Sequence, residues 1–574
     1  MQINKYEQLS LDRKKLQRNE EAPKWLTTAG YQLLTNNNYL LPGETPKDMY
    51  NRAAKRAAEL VQIPIPPFLP YTTWYDAFYT SMWNGWLSPS TSVLSNLGTN
   101  RGHPVSCSGS YMEDSIYSFY ETRKEIALLT KEGYGTSVTL DTVRHRGASI
   151  SVGGTASGVM QPASGIVQDM KEVSQGFRRG NCGLYLNPLH NDAEELMDQL
   201  LADDSGWNVG WNFTNEFDEL LEKDPQAADY IWKKLLRTKL IKGKGYYLFL
   251  DKANSLMPQC FKDNNLTIHN SNLCAEIMLP NDKNHTFSCV LSSLNVTKYD
   301  EWKDKYLYEI ALVFANALID DMLEKSHNKP GFERIVQFTE KARAIGLGIL
   351  GLSTYYQQNN WVFGDLNSIM FNQQLAREMQ ERTYSMSEYM ASILGEPEWC
   401  KGSGRYNATT MAFPPTMSTS AIMGGVSQGI EPVFANVYEQ DTAGGMVYRI
   451  NPPLLKLMKE REVYNEETMK RIAENQGSVF GEDWLSDYEK EVFRTAFELN
   501  QETILLMASH RQKWIDQGQS LNLYFKKETP EEYISKLHWI AYKDPYIKSL
   551  YYIRTLNEDE KLTIPESVCT ACNG

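Results

Sequence analysis

Three chemically useful side chains lie at alternate positions in the stretch 271–277, which reads S-N-L-C-A-E-I. They are the carboxamide of Asn272, the thiol of Cys274 and the carboxylic acid of Glu276. In an extended segment alternate side chains point to one face, so we expect all three groups to meet over one small substrate. That face would carry a hydrogen-bonding amide, a sulfur atom and an acid/base. A buried structural cysteine between ordinary polar residues is the competing interpretation, and other parts of the chain must decide between them.

Four further cysteines could take part in thiol–disulfide chemistry. Near the end of the chain, Cys569 and Cys572 form a C-x-x-C pair, which is typical of half a zinc site or of a redox dithiol. The sequence holds no second C-x-x-C or H-x-x-x-H to complete a zinc tetrahedron, so we favour the dithiol and predict no metal site. A dithiol on a flexible tail can exchange with an internal pair and with an external reductant. Cys107 and Cys289 are candidates for that internal pair, with buried apolar thiols as the alternative.

Two adjacent tyrosines, Tyr551 and Tyr552, follow a helical segment near the end of the chain. Tyrosine pairs are common in cores and interfaces, which is the simpler interpretation. A phenol can also be oxidised by one electron and pass a radical to a neighbour.

Two glycine- or hydroxyl-rich segments could bind phosphate. The stretch 346–351 matches G-x-G-x-x-G, but a helix-like segment precedes it, so we reject a dinucleotide site and predict close helix packing at these glycines. The stretch 414–420, P-P-T-M-S-T-S, opens a predicted helix with hydroxyls and free backbone N–H groups. It could cradle a phosphate or diphosphate at the helix N-terminus, or it could be an ordinary N-cap cluster.

Length and composition limit the class of protein. The chain has 574 residues, 42% of them hydrophobic, and a net charge of −13, which argues against nucleic-acid binding as its main role. No signal peptide and no run of membrane-spanning length is present. Eight scattered cysteines are typical of reduced thiols in a cytosol. We therefore expect a cytoplasmic protein that interacts with neither nucleic acid nor membrane.

The elements that must position these residues follow from hydrophobic periodicity. Residues 1 to about 85 have helical spacing. Within them, the Pro-rich stretch 63–67 ends the helical run at 48–61. Helical and β-rich pieces then alternate to about residue 440, with strands predicted at 245–251, at 272–276 and around Cys289. The next hundred residues are mostly helical. Repeated strand–helix units indicate an α/β domain, of which a closed barrel is one form.

Taken together, these segments resemble the large catalytic (α) subunit of class I ribonucleotide reductase. The resemblance runs from about residue 88 to the last residue. It rests on motifs that follow one another in the family's order: 106–114 (S-C-S-G-S-Y-M-E-D), 272–276 (N-L-C-A-E), 287–295 (F-S-C-V-L-S-S-L-N), 414–420 with 429–432 (G-I-E-P), the tyrosine pair and the terminal C-x-x-C.

The resemblance implies a fold and a set of domains. We expect a helical N-terminal domain over 1–87, without an ATP-cone, and a ten-stranded α/β barrel in two five-stranded halves over 88–440. A mostly helical region with the tyrosine pair would span 441–555, and a redox tail 556–574. Because only about 87 residues precede the barrel, no ATP-cone is expected, and dATP shut-off would then be absent or would act through the partner subunit.

The resemblance also implies roles for the residues above. Cys274 would become a thiyl radical, Glu276 a general base, and Asn272 a ligand of the sugar hydroxyls. Cys107 and Cys289 would supply two electrons. The remaining roles would be radical transfer by Tyr551 and Tyr552, reduction of the internal disulfide by Cys569 and Cys572, and substrate binding by Ser106, Ser418, Thr419 and Ser420.

The cofactors and partners come from the same resemblance. No cofactor is expected to be bound covalently, and the radical cofactor would lie on a separate β subunit. A dNTP or ATP effector with Mg²⁺ would bind a specificity site at the face of a homodimer. The effector-site residues would be Asp114, Ser115, Arg144 (with Arg146 as a weaker candidate), Gln175 and Arg178. Ribonucleoside diphosphates and a thioredoxin- or glutaredoxin-type protein complete the expected partners.

Two other functions compete with this interpretation. An adenosylcobalamin-dependent reductase shares the three cysteines and a tail dithiol, but the tyrosine pair favours class I. A nucleotide- or zinc-binding regulatory protein without turnover is the alternative from another class. Zinc on Cys569 and Cys572, together with unchanged nucleotide after incubation with dithiol and a radical subunit, would favour it.

Overall fold

The computed structural model describes residues 5–36, 39–151, 153–175, 178–442, 445–556 and 563–564. The chain begins with helices that pack on one another: α1 (Lys5–Arg18), α2 (Thr28–Asn36), α3 (Pro46–Leu60) and α4 (Trp74–Trp83). Helix α3 begins at a capping box in which Thr45 and Asp48 satisfy each other's backbone N–H groups, with Pro46 at the first helical position. The predicted helical start of the chain is confirmed.

The first half of the barrel follows. Its elements are β1 (Leu87–Pro89), α5 (Thr91–Asn96), β2 (Cys107–Tyr111), α6 (Ile116–Lys131), β3 (Thr136–Thr139), α7 (Met160–Glu172), β4 (Ser174–Gln175), β5 (Arg178–Arg179), β6 (Cys182–Leu186), α8 (Ala193–Ala202), β7 (Asn208–Phe213), α9 (Asn215–Lys223), α10 (Pro225–Lys242) and β8 (Tyr246–Phe249). Strands β2, β3, β6, β7 and β8 pair in parallel in that order, because a helix returns the chain between successive strands.

The second half completes the chain. Its elements are α11 (Leu250–Ser255), α12 (Gln259–Asp263), β9 (Phe287–Asn295), a 3₁₀ turn (Val296–Lys298), α13 (Tyr299–Trp302), α14 (Leu307–Ser326), α15 (Glu333–Ala342), β10 (Ile345–Leu350), α16 (Leu352–Gln358), α17 (Leu366–Leu394), a second 3₁₀ turn (Glu398–Cys400), α18 (Met417–Ile422), β11 (Val437–Thr442), β12 (Gly445–Ile450), α19 (Pro452–Glu460), α20 (Glu466–Glu474), α21 (Asp487–Val492), α22 (Gln501–Gln512), β13 (Leu523–Lys526), α23 (Glu531–Lys543), β14 (Ser549–Leu550), β15 (Ile553–Leu556) and β16 (Thr563–Ile564).

The strand ladder closes on itself. Strand β9 pairs antiparallel with β2 and in parallel with β10. From β10 the ladder continues through single parallel bridges, Leu347 to Met411 and Phe413 to Gln519. It then runs through the parallel pair β13–β15 and returns by β14, which is antiparallel to β8. The first half contributes β2, β3, β6, β7 and β8. The second half contributes β9, β10 and the segments 411–413, 519–526 and 549–556. These ten segments form a closed barrel, and the predicted ten-stranded α/β fold is confirmed.

The glycines at 346 and 348 have a different use from the predicted one. They lie in β10, a buried barrel strand, and not at a helix contact. A Cβ at Gly346 would lie 2.9 Å from the Cys289 Sγ, and one at Gly348 would lie 2.5 Å from the Pro414 Cδ. The prediction of helix packing is wrong: the absent side chains let neighbouring barrel segments approach closely.

Outside the barrel, β11, β12 and helices α19 to α21 enclose a separate small apolar cluster that includes Leu454, Met458 and Ile472. The domain boundaries predicted from the sequence remain predictions. Over the residues that the structure describes, no helix combines the length and the apolar character needed to cross a membrane.

Candidate active site

The stretch 272–276 is a tight turn inside the barrel and not the extended segment that we predicted. The Ala275 N–H donates to the Asn272 carbonyl over 3.2 Å, and Ala275 has a positive φ of 63°. The Asn272 carboxamide closes the turn, since its Oδ1 accepts from the backbone N–H groups of Glu276 and Ile277, each over 3.1 Å. The local hydrogen bonds of an asparagine side chain therefore replace the sheet ladder that the alternation suggested.

Three thiols from distant parts of the chain lie together at this turn. Cys107 on β2 and Cys289 on β9 are direct partners across the antiparallel pair. The Asn272 Nδ2 donates to the Cys107 Sγ over 3.3 Å, which ties the turn to the pair. Cys107 lies within electrostatic range of Cys274, Glu276 and Cys289. All three cysteines are buried, with 6%, 5% and 0% of Cys107, Cys274 and Cys289 exposed.

Glu276 is a buried acid beside the central thiol. Its Oε2 accepts a hydrogen bond over 3.1 Å from the Ser520 hydroxyl, which also lies 2.6 Å from the Cys274 carbonyl oxygen. Burial raises the pKa of Glu276 to about 7, although hydrogen bonds from Asn272 and Ser520 oppose the shift. A carboxyl group that titrates near neutrality can both accept and return a proton.

The two facing thiols each accept a hydrogen bond from a carboxamide. The Asn272 Nδ2 donates to the Cys107 Sγ, and the Gln517 Nε2 donates to the Cys289 Sγ over 3.4 Å. Burial raises the pKa of both thiols, and these donors lower it in part. Both groups therefore stay protonated at neutral pH and hold S–H hydrogens. We did not predict Gln517 from the sequence, because nothing in its neighbours distinguishes it from a surface glutamine.

A cluster of tyrosines lies on the other side of Cys274. The Tyr551 hydroxyl donates to the Cys274 Sγ over 3.6 Å, and the rings of Tyr551 and Tyr552 have centroids 3.9 Å apart. Tyr246, on β8, belongs to the same cluster and was missed, because the sequence does not tell which face of this strand points into the barrel. Tyr551 is fully buried and Tyr552 is 8% exposed, so the cluster runs from near the surface to the central thiol.

The predicted phosphate-binding hydroxyls lie in the first turns of α18. Ser418, Thr419 and Ser420 are all buried, and the Gly429 N–H donates to the Thr416 hydroxyl over 2.7 Å, joining the two motifs at 414–420 and 429–432. Ser106 lies next to Cys107 on the chain and contacts the Ser92 hydroxyl at 3.0 Å. The start of α18 thus carries a group of buried hydroxyls.

Two of the predicted effector residues, Asp114 and Ser115, lie at the start of α6. Ser115 caps this helix by accepting from the Ser118 N–H, and the Arg144 Nε lies 2.5 Å from an Asp114 oxygen. Arg146 instead pairs with Glu195. The remaining two, Gln175 and Arg178, are backbone partners in the β4–β5 hairpin, and their side chains are outside the described part of the structure.

Cys569 and Cys572 lie outside the described residues, so the structure does not place the predicted tail dithiol. Among the residues that are described, no three His, Cys, Asp or Glu side chains are grouped as metal ligands.

Two family comparisons cover most of the chain. Residues 24–102 match the family described as "Ribonucleotide reductase, all-alpha domain". Residues 105–205, 196–403 and 397–553 match "Ribonucleotide reductase, barrel domain".

Individual relatives agree with the family matches. The putative ribonucleoside-diphosphate reductase large subunit of Frog virus 3 is 30% identical over 521 residues, covering 85% of this chain and 91% of the relative. The large subunit of Invertebrate iridescent virus 6 is 38% identical over 288 residues, covering 49% of this chain and 30% of the relative. Among solved structures, the class Id ribonucleotide reductase alpha subunit of Actinobacillus ureae is 34% identical with a TM-score of 0.85, covering 93% of this chain and 98% of that one.

Proposed function

The chain belongs to the ribonucleotide reductase large-subunit family, and on this premise we propose the roles of its own residues. Its activity is that of a ribonucleoside-diphosphate reductase large subunit, an oxidoreductase that makes DNA precursors. The family implies a ribonucleotide substrate and a separate radical-generating subunit. One observation carries the assignment of roles: Cys107, Cys289 and the turn that bears Cys274 and Glu276 meet inside one barrel.

Reduction begins with Cys274 as a thiyl radical, which takes the hydrogen atom from the ribose 3′ carbon. Glu276 accepts the 3′-hydroxyl proton, for which its pKa of about 7 is well matched. The Asn272 carboxamide has hydrogen-bonding groups for the sugar hydroxyls. Burial of all three side chains supports this step, because an exposed thiyl radical would react with solvent species.

Loss of the 2′-hydroxyl follows. The 2′ oxygen leaves as water after protonation, and Cys107 and Cys289 supply two electrons and two hydrogens in total. Their sulfurs then join in a disulfide. The Cys274 thiol returns its hydrogen atom to the 3′ carbon and becomes the thiyl radical again. The cross-strand pairing of Cys107 with Cys289 supports this step, because directly opposed residues in an antiparallel pair lie within disulfide-forming distance.

The disulfide must be reduced before the next turnover. Cys569 and Cys572 are assigned to this exchange, with one tail thiolate attacking the internal disulfide and the second resolving the mixed disulfide. A thioredoxin- or glutaredoxin-type protein then reduces the tail. The C-x-x-C spacing of the pair supports the assignment, since this spacing is typical of a redox dithiol.

The oxidising equivalent reaches Cys274 through the tyrosines. Tyr552 passes it to Tyr551, and Tyr551 takes the hydrogen atom of the Cys274 thiol. The 3.9 Å ring separation and the hydroxyl-to-sulfur contact of 3.6 Å support this order. The radical-generating β subunit would dock where Tyr552 approaches the surface.

Substrate and effector sites are assigned to the remaining residues. Ser106 and the hydroxyls of 418–420 would hold the diphosphate. A dNTP or ATP with Mg²⁺ would bind near Asp114, Ser115 and Arg144 at the face of a homodimer, with the hairpin that carries Gln175 and Arg178 between the two sites. Asp114 can hold a cation and Arg144 a phosphate, so this donor set fits a nucleotide. We assign the working compartment to the cytoplasm, where thiols stay reduced.

The test is CDP reduction assayed with and without a candidate radical subunit, in the presence of a dithiol. We expect dCDP only when both proteins are present. Turnover that requires adenosylcobalamin and no second protein would contradict the class I assignment. Unchanged CDP together with zinc on the tail cysteines would favour the regulatory alternative.

A further inference from the structure

Tyr246 is a third buried phenol beside the tyrosine pair. Its hydroxyl donates to the Tyr552 hydroxyl over 3.3 Å. Its ring contacts both partners, with centroids 4.7 Å from Tyr551 and 5.4 Å from Tyr552. Together with Cys274 and Ala275 these rings form one buried cluster. No role for Tyr246 has been assigned so far.

Strand β8 places this phenol with its hydroxyl aimed at Tyr552. Side chains alternate along a strand, so Tyr246 faces the barrel interior and Tyr247 faces the helices outside. Tyr247 contacts Trp232 and His538 on that outer side. Within the described chain the Tyr247 hydroxyl has no hydrogen-bond partner. The two neighbouring tyrosines are thus equally buried but differ in what their hydroxyls do.

Tyr552 is the member of the pair that most needs to be held. It is 8% exposed, whereas Tyr246 and Tyr551 are fully buried. On transfer, one hydrogen atom moves from the Tyr551 hydroxyl to the Tyr552 oxygen, so that the Tyr552 radical becomes a phenol and Tyr551 the radical. This step requires the two hydroxyls to stay adjacent. A tyrosine ring at the edge of a cluster can rotate away unless a hydrogen bond fixes its oxygen.

We propose that Tyr246 is a positioning residue of the radical relay, whose hydroxyl holds the Tyr552 oxygen beside that of Tyr551 without being oxidised itself. The inference rests on the proposed relay through Tyr551 and Tyr552. Burial and the neighbouring phenols raise the pKa of Tyr246, so its hydroxyl keeps the proton that it donates. When Tyr552 is a neutral radical its oxygen can only accept hydrogen bonds, and Tyr246 supplies one.

The first test compares Tyr246→Phe with Tyr247→Phe in the full chain, assayed with its radical subunit. Each change removes one hydroxyl and keeps a buried ring in the same strand. We expect Tyr246→Phe to lower kcat about three- to tenfold, as loss of one hydrogen bond at the transfer step predicts, with the KM for CDP unchanged. Tyr247→Phe should keep the kcat of the parent. Equal kcat in both variants and the parent would overturn the inference.

A spectroscopic test separates positioning from packing. In a chain with 3-aminotyrosine, an easily oxidised trap, in place of Tyr552, Tyr551→Phe removes the other phenol that donates to this oxygen. The radical trapped in D₂O should then show the hyperfine coupling of the deuteron that Tyr246 donates to the oxygen. Tyr246→Phe should remove this coupling, and Tyr247→Phe should retain it. A coupling that survives Tyr246→Phe overturns the inference but leaves the relay standing. A parent in which position 552 traps no radical overturns both.

Discussion

Glu276 shows how burial alone can prepare a residue for chemistry. An ordinary glutamate would be ionised at neutral pH and would be a weak base. Removal from water raises its pKa to about 7, and two hydrogen-bond donors prevent a larger shift. Asn272 has a double role, since one side of its carboxamide closes the turn and the other donates to Cys107. A few side chains therefore both build the site and, in the proposed reaction, take part in it.

The central thiol can be tested directly. Cys274→Ser should abolish CDP reduction, because an alcohol O–H bond is too strong to form the required radical, while nucleotide effectors should still bind. Turnover and effector binding are measured on the same preparation. Cys182→Ala, which removes a buried thiol on β6, is the control and should retain turnover. Turnover by Cys274→Ser would remove the radical role.

The raised pKa of Glu276 predicts a pH-dependent effect on stability. Between pH about 4.5 and about 7 the folded chain holds a proton that the unfolded chain has lost, so the parent loses stability as pH rises through this window. Glu276→Gln removes that loss. Measured by thermal unfolding, the Tm of the variant minus the Tm of the parent should therefore increase from pH 5 to pH 8. CDP reduction by the variant should be lost at every pH in this range. A Tm difference that does not change with pH would contradict the buried, titrating state.

At the scale of elements, the site depends on close approach between strands. Strand β10 has no side chain at 346 or 348, which leaves room for Cys289 and for the segment at Pro414. The turn at 272–276 enters the barrel because its own side chains satisfy its backbone. Neither element would place the thiols by itself. The pairing of β2 with β9 and the turn between them act together.

Gly346→Ala tests this close approach. The new Cβ would lie 2.9 Å from the Cys289 Sγ and 2.8 Å from the Leu291 Cδ2, so the thiol must move. We expect the folded state to be destabilised by about 1–3 kcal/mol. We also expect fewer Cys107–Cys289 disulfides to form per molecule of substrate supplied. Thiol counting after a single turnover, in a chain without the tail cysteines, measures the second effect. Gly481→Ala, whose nearest neighbour would be 3.9 Å away, should behave as the parent. Normal disulfide formation in Gly346→Ala would show that Cys289 has more room than the structure indicates.

At the scale of the whole molecule, barrel closure joins residues far apart in sequence. The tyrosine pair reaches the central thiol because β14 completes the barrel against β8.

The outside of the barrel carries an exposed apolar helix start, where Ile116 and Tyr117 of α6 are 70% and 79% exposed. They lie next to Asp114 and Ser115, which we assign to the effector. This surface is consistent with the proposed homodimer face.

Tyr117→Arg should therefore weaken self-association, because a charged side chain would be buried in an isologous contact. Sedimentation at several concentrations, with and without dNTP, measures the effect. Leu366→Arg, at a 71% exposed position in the first turn of α17, is the matched control and should keep the association state of the parent. Dimers of unchanged stability in Tyr117→Arg would place the contact elsewhere.

The sequence by itself determined the fold class and the family, and it predicted a set of chemically active residues, because motifs and hydrophobic periodicity are local properties. It predicted wrongly that 272–276 is extended and that the glycines of 346–351 pack helices. Both depend on neighbours that are distant in the chain. Only the tertiary structure revealed the contacts of Gln517 and Tyr246, since an unremarkable glutamine or tyrosine gains a role from what lies opposite. The sequence shows which chemical groups are present and how they are spaced along the chain, whereas the closed barrel determines which of them are in contact.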